Sequence, residues 1–174
     1  RRGSRNVVYM QHGLADSSLC WLSIDSLGSM ALAAYDMGWD VWMGNHRGML
    51  GEHKSAPPAY FSYTYKELGE YDVNAFMSTI HKYKQRELSY FGASRFGGDF
   101  CPSNIRRTRQ KGARNRPYSI QCVAHSLGCA SCLAYAIMKG RRGEASDFVK
   151  MILCAPAGFN HDAPLLLRAT GPIV

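Results

Sequence analysis

The stretch S-I-Q-C-V-A-H-S-L-G (Ser119–Gly128) decides the fold of this 174-residue chain. Its first six residues, which end at Ala124, form an apolar run typical of a buried β-strand. The residues from Leu127 to Met138 are apolar nearly all round a helix, which indicates a buried α-helix. The stretch therefore predicts a strand that turns sharply into a helix.

The same alternation of strand and helix extends on both sides of this stretch. Three further apolar runs each predict a strand: Val7–Gln11, Trp39–Met43 and Phe148–Ala155. Apolar residues at helical spacing predict one helix that a Ser26 cap begins and Gly38 ends, and a second helix over residues 67–87. Continuously apolar strands that alternate with helices are typical of a parallel sheet between helices. We therefore predict an α/β fold with a mostly parallel sheet flanked by helices.

Composition limits the class of protein further. Apolar residues make up 46% of the chain and charged residues 20%, which is typical of a globular protein. No apolar run reaches the roughly 18 residues of a membrane-spanning helix. The chain shows no charged start leading into an apolar stretch, so we expect no secretory signal within it, and its residues do not indicate a compartment.

The net charge of +8 is concentrated in two segments. Residues 1–5 contribute +3 and residues 92–117 contribute +6, so the rest of the chain is nearly neutral. Few large apolar residues occur in 92–117, and we predict that this segment is a flexible basic insert within a single domain over 1–174. Because the charge is not spread over a folded face, we favour a solvated charged loop. The alternative is binding of nucleic acid or an acidic surface through residues 104–116.

Six cysteines occur in the chain, and two of them form the C-x-x-C pair Cys129 and Cys132. No second pair stands at the spacing of a zinc site, and most of the cysteines lie in apolar stretches. We interpret them as buried free thiols. No metal and no cofactor is predicted.

The pentapeptide A-H-S-L-G (Ala124–Gly128) has the sequence context of a nucleophile elbow, a serine on a tight strand-to-helix turn. Such a turn needs small residues two before and two after the serine, and Ala124 and Gly128 meet this need. Alanine at the first position departs from the usual glycine. The helix after Ser126 directs its positive end at the site. The alternative is an ordinary glycine-containing turn between a strand and a helix.

A second candidate element is His12-Gly13-Leu14, directly after the first predicted strand. Acyl transfer needs two N–H donors aimed at the oxyanion that forms. Leu127 would supply one donor and Leu14 the other, and Gly13 would allow close approach of the backbone. We interpret His12 as a structural histidine and not as a proton carrier.

Six motifs in the same order resemble the acid lipase family of α/β-hydrolases, the group of lysosomal acid lipase and gastric lipase. They are Val7–Leu14, Ser17-Ser18 with Trp21, Tyr35–Gly48, Phe61–Val73, Ala124–Gly128 and Ala155–Phe159. The resemblance covers about residues 7–91 and 118–165. It implies a partial α/β-hydrolase domain interrupted by the basic insert.

The resemblance also implies a function. A member of this family would be a serine hydrolase that cleaves neutral lipid esters, such as triacylglycerols or sterol esters, in lipid catabolism. It implies Ser126 as nucleophile and the N–H groups of Leu14 and Leu127 as the oxyanion hole. The supporting turn residues would be His12, Gly13, His125 and Gly128.

For the basic segment we expect contact with anionic lipid or a membrane surface, because clustered Lys and Arg are attracted to such surfaces. The resemblance further implies no cofactor and a lipid ester as substrate. It implies a lysosomal, secreted or membrane-associated location. The loop Gly44–Gly48 and the stretch Glu70–Asp72 match structural signatures of the family, and we assign them no catalytic role. For Arg47 and Asp72 we expect a buried ion pair or a solvated surface position.

The acid and the histidine of a catalytic triad are not identifiable in the chain. Glu144 and Asp147 precede the last predicted strand, at the wrong end of the sheet, while His161 and Asp162 follow it in reverse order. In α/β-hydrolases the acid and then the histidine follow the serine. The alternative function is therefore a catalytically incomplete fragment or a non-catalytic binding module.

Overall fold

The computed structural model describes residues 3–22, 28–48, 62–95 and 116–157. Four strands form one sheet: β1 (Asn6–Gln11), β2 (Asp40–Gly44), β3 (Ser119–His125) and β4 (Phe148–Cys154). Their order across the sheet is β2-β1-β3-β4, and every neighbouring pair is parallel. The predicted α/β fold class is confirmed, and each predicted strand lies within one residue of its observed bounds.

Helices connect the strands, as parallel pairing requires. After a short 3₁₀ turn at Ser18–Trp21, α1 (Met30–Asp36) leads to β2. A long helical run over residues 65–95, here α2, leads to β3 and consists of Tyr65–Glu67, a π-helical segment Leu68–Val73 and Asn74–Arg95. The helix α3 (Leu127–Arg141) follows β3 directly and leads to β4.

The start of α1 differs from the prediction. Ser29 caps this helix by accepting a hydrogen bond from the Leu32 N–H, whereas Ser26 lies outside the described residues. Ser29 also donates its hydroxyl to the Trp21 carbonyl, a tertiary contact that spacing along the chain does not reveal. The predicted end at Gly38 is confirmed, because this glycine has φ +89°, the left-handed conformation that ends many helices. Its N–H and that of Trp39 donate to carbonyls of the last turn of α1.

The helix α2 is longer than predicted. A capping box of Thr64 and Glu67 starts it, and it continues to Arg95, into the predicted insert. A single glycine such as Gly92 costs a helix only about 1 kcal/mol, so it does not end this one. Arg116, at the other end of the insert, is held by an ion pair with Asp147. Residues 96–115 of the insert lie outside the described part of the chain.

Both faces of the inner strand β1 are buried. Alternate residues of β1 point to opposite faces, Val7 and Tyr9 towards α2 and α3, and Val8 and Met10 towards α1 and Trp21. This burial explains why β1 reads as a continuous apolar run, whereas Val149 and Ile152 of the edge strand β4 are exposed.

The described cysteines carry free thiols, as interpreted from the sequence: Cys20, Cys122, Cys129, Cys132 and Cys154. Within the described ranges, no group of His, Cys, Asp and Glu side chains is arranged to hold a metal ion. In the same ranges, no helix has the length and apolar character to cross a membrane.

Candidate active site

Ser126 occupies a strained turn where the carboxyl end of β3 meets the amino end of α3. Its φ of 50° and ψ of −119° lie in a region that non-glycine residues rarely adopt. The surrounding backbone holds it there, because its N–H donates to the Cys154 carbonyl at 3.0 Å and its carbonyl accepts from Ala157 at 3.2 Å. Although Ser126 is the N-cap residue of α3, its side chain makes no capping hydrogen bond. Such strain, held by neighbours, is typical of functional positions.

Gly128 lets the first turn of α3 approach the end of β1. A Cβ atom at this position would lie 2.5 Å from the His12 carbonyl oxygen and 2.7 Å from that of Gln11. Ala124, on the other side of the serine, is fully buried, and its carbonyl oxygen accepts a hydrogen bond from the Cys129 thiol. The small residues that frame Ser126 therefore stand where neighbouring backbone leaves little room.

The loop after β1 lies directly against the serine. A Cβ atom on Gly13 would be 3.0 Å from Ser126 Cβ and 3.1 Å from His125 Nδ1. Leu14 is exposed, and none of the described groups accepts a hydrogen bond from its N–H. Leu127 is the first residue of α3, where a helix leaves its N–H groups without an acceptor within the helix. The structure thus brings His12, Gly13, Ser126 and the start of α3 together.

His12 is a buried, fully hydrogen-bonded imidazole. Its Nδ1 lies 2.7 Å from the Gly13 carbonyl oxygen, and its Nε2 accepts the backbone N–H of His46 at 3.2 Å. These partners assign the proton to Nδ1. Burial lowers the pKa of His12, which keeps the ring neutral. With both nitrogens occupied, His12 has no site left to take a proton from Ser126.

The loop Gly44–Gly48 forms a second layer behind His12. Arg47 holds Asp72 of the π-helical segment through Nε at 2.7 Å, Nη2 at 2.6 Å and its backbone N–H at 2.9 Å. Burial raises the pKa of Asp72, but interactions with His46 and Arg47 outweigh burial and leave it below its ordinary value. Of the two expectations for Arg47 and Asp72, the ion pair is the one observed, with a buried carboxylate and a half-buried guanidinium.

His46 ties the same loop to α3. Its Nε2 lies 3.1 Å from the Ser131 hydroxyl, which donates to the Gly128 carbonyl at 3.0 Å. Its Nδ1 lies 3.8 Å from Asp72 Oδ2, beyond hydrogen-bond distance. Sequence reasoning recognised this loop as a signature but missed its contact with the candidate site, because the partners are 34 and 85 residues away along the chain.

Asp147 lies at the amino end of β4, at the opposite end of the parallel strands from Ser126, as the sequence predicts. His81 is 3.0 Å from this carboxylate, and Arg116 and Tyr135 also donate to it. Burial raises the pKa of Asp147, but bonds from His81, Tyr135 and Arg116 outweigh burial and hold it well below its ordinary value. Across the described residues, no imidazole or carboxylate forms a hydrogen bond with the Ser126 hydroxyl. His53, His161 and Asp162 lie outside those residues.

Three observed features define the α/β-hydrolase class. They are a parallel sheet, a strained serine turn at the carboxyl end of one strand, and a glycine loop packed against that turn. No protein-family model matches the chain. Among curated proteins, the chain is 34% identical over 96 residues to lipase member J of Homo sapiens. It is 35% identical over 98 residues to gastric triacylglycerol lipase of Homo sapiens, and 35% over 97 residues to triacylglycerol lipase 2 of Arabidopsis thaliana.

These matches cover 52–53% of this chain and 23–26% of each relative, so the chain spans about a quarter of the length of the curated relatives it matches. Over this matched half, the resemblance to the acid lipase family that the motifs indicate is confirmed.

Proposed function

We propose that this chain carries the nucleophile and the oxyanion hole of a serine hydrolase that cleaves neutral lipid esters, triacylglycerols or sterol esters, in lipid catabolism. The observation that carries the proposal is the strained Ser126 turn with Gly13 packed against it. The names of the relatives, which are lipases from animals and a plant, support this class of reaction.

In the proposed reaction, Ser126 Oγ attacks the ester carbonyl carbon, and the carbonyl oxygen takes up negative charge. The N–H groups of Leu14 and Leu127 bind this oxyanion, and the positive end of α3 favours it further. Collapse of the intermediate releases the alcohol and leaves an acyl-enzyme, which water then hydrolyses. A base must take the serine proton, and an acid must orient that base. None of the described residues fills either role at Ser126.

Two partner proposals accompany the reaction. The substrate is a lipid ester, since the matched relatives include triacylglycerol lipases. We also propose that the basic segment 92–117 contacts anionic lipid, because clustered Lys and Arg are attracted to such surfaces.

A second candidate is a non-catalytic module or an incomplete fragment of the lipase fold. The observation that favours it is the lack of a base at Ser126 among the described residues. It predicts that Ser126 is no more reactive than an ordinary surface serine.

The test uses the protein expressed from its full native transcript. A fluorophosphonate probe and triacylglycerol hydrolysis are measured for the parent, for Ser126→Ala and for the control Ser89→Ala. Ser89 lies in α2, and among the described residues its hydroxyl bonds only to a carbonyl of its own helix. We expect Ser126→Ala to abolish labelling and hydrolysis, and Ser89→Ala to leave both unchanged. Undiminished hydrolysis by Ser126→Ala would refute the proposal, and an unreactive parent would favour the non-catalytic module.

A further inference from the structure

We propose that the loop Gly44–Gly48 positions the oxyanion donor of Leu14, because its backbone selects which nitrogen of His12 carries the proton. This inference rests on the proposed function, and it gives a role to a loop to which the sequence assigned none. His12, His46 and Arg47 would be positioning residues, since none of them touches the reacting atoms.

The first step is the geometry of one peptide group. The Gly13 carbonyl and the Leu14 N–H belong to the same planar trans peptide and point in opposite directions. His12 Nδ1 holds that carbonyl oxygen at 2.7 Å. A rotation that turned the Leu14 N–H away would therefore break the bond to His12. Because a glycine precedes this peptide, the backbone alone restrains it weakly, and the imidazole supplies the restraint.

The second step is the tautomer of His12. A neutral imidazole has one proton, so Nδ1 can donate to Gly13 only when Nε2 is bare. The His46 N–H points at Nε2 from 3.2 Å and requires that nitrogen to accept. The His12 ring is fully buried, so water does not compete for either nitrogen. The position of one backbone N–H thus determines where the His12 proton lies.

The third step is the anchor of that N–H. The residue after His46 is Arg47, whose side chain and backbone make three bonds to the buried Asp72 carboxylate. Asp72 sits in the π-helical segment, where a Cβ on Gly69 would lie only 2.7 Å from the Ser131 carbonyl oxygen of α3. The loop is therefore held against α3, the helix that follows Ser126, so the same packing supports both the oxyanion donor and the nucleophile.

Two substitutions of His12 separate its two bonds. The side-chain nitrogen of asparagine takes about the place of Nδ1 and can donate to Gly13, whereas the amide of glutamine reaches the place of Nε2 and cannot. We expect His12→Asn to keep kcat for ester hydrolysis within about threefold of the parent. We expect His12→Gln to lower kcat by about 30-fold with KM unchanged, less than the 10²–10³-fold cost of deleting an oxyanion donor.

A double-mutant cycle tests the link to the loop. Arg47→Lys keeps the charge but loses the two-pronged bond to Asp72. We expect Arg47→Lys to lower kcat about tenfold in the parent and less than twofold in the His12→Asn background, because a carboxamide has no tautomer to select. Tyr63→Phe removes a 3.1 Å bond to the Arg47 carbonyl and provides a milder variant with the same pattern should Arg47→Lys fail to fold.

Nuclear magnetic resonance of the His12 ring, in the protein expressed from its full native transcript, tests the inference independently of activity. Long-range proton–nitrogen correlations should show Nδ1 protonated and Nε2 bare in the parent, and a mixture of tautomers in Arg47→Lys or Tyr63→Phe. An unchanged tautomer together with equal kcat losses in both backgrounds would overturn the inference. If the parent fails to hydrolyse esters yet shows the expected tautomers and shifts, the proposed function fails and the role of the loop stands.

Discussion

Substitution of Gly128 by alanine tests whether the site depends on the close approach of α3 to β1. The added Cβ would lie 2.5 Å from the His12 carbonyl oxygen and 2.7 Å from the Gln11 carbonyl oxygen. A carbon–oxygen contact normally needs about 3.3 Å, so one backbone must move by about 0.8 Å. Both obstacles are backbone atoms, one at the end of β1 and one in the residue that follows it, and they cannot rotate aside as a side chain would.

We expect Gly128→Ala to lower the free energy of unfolding by about 3 kcal/mol, the upper part of the range for overpacked cores. A displacement of this size between Ser126 and the Gly13 loop should also lower kcat by about 100-fold. Urea denaturation measures the first quantity, and ester hydrolysis by the full-length protein measures the second.

The matched control is Gly140→Ala, the same substitution in the same helix. Outside the backbone of α3 itself, no atom of the described residues lies within 4 Å of a Cβ at Gly140, so alanine should stabilise the helix by about 0.5 kcal/mol and leave kcat unchanged. If Gly128→Ala and Gly140→Ala give the same unfolding free energy, the steric reasoning about the elbow is wrong.

Three further outcomes follow from the same contacts. Gly13→Ala, whose Cβ would stand 3.0 Å from Ser126 Cβ, should cost about 1 kcal/mol of stability but lower kcat about tenfold, as measured by melting and by ester hydrolysis. Asp147→Asn should lower the free energy of unfolding by about 3 kcal/mol at pH 7. Because folding lowers the pKa of Asp147, the carboxylate contributes stability above about pH 4 and loses this contribution as the pH falls further. The unfolding free energies of parent and variant, measured in urea, should therefore converge as the pH is lowered below about 4. Burial lowers the pKa of His12, so the unfolded chain binds the additional proton and stability falls below about pH 6.5; His12→Asn should make that fall shallower.

The elements that the sequence predicts well are those set by local pattern. The inner strands β1 and β3 appear as continuous apolar runs because both of their faces are largely buried, and Gly38 ends α1 because its positive φ is a local requirement. The elements that it predicts poorly depend on distant partners. Ser29 begins α1 while bonded to Trp21, and the π-helical segment of α2 packs against α3 at Gly69. The spacing of apolar residues predicts neither contact.

The candidate site divides along the same line. Gly13, Ser126 and Gly128 are recognisable because a tight turn and close backbone approach demand small residues at set offsets. The support behind them is not recognisable, since Arg47 and Asp72 are 25 residues apart and only their opposite charges hint at a pair. Asp147 illustrates the opposite error, a local contact that wrongly suggests function. A buried carboxylate bonded to a histidine resembles part of a triad, but Asp147 lies at the end of the sheet opposite to Ser126.

The ends of three strands hold Ser126 in its strained conformation. The carbonyl of Cys154 on β4 fixes its N–H, the turn after β3 carries it, and the end of β1 presses on Gly128 from the other side. Electrostatic catalysis of acyl transfer depends on donors that are already in place before charge develops. A serine held from three sides, next to a loop whose peptide is held by a neutral buried histidine, satisfies that condition without any rearrangement. The proposed esterase chemistry and the proposed role of Gly44–Gly48 therefore follow from one property of the fold, the convergence of β1, β3 and β4 at their carboxyl ends.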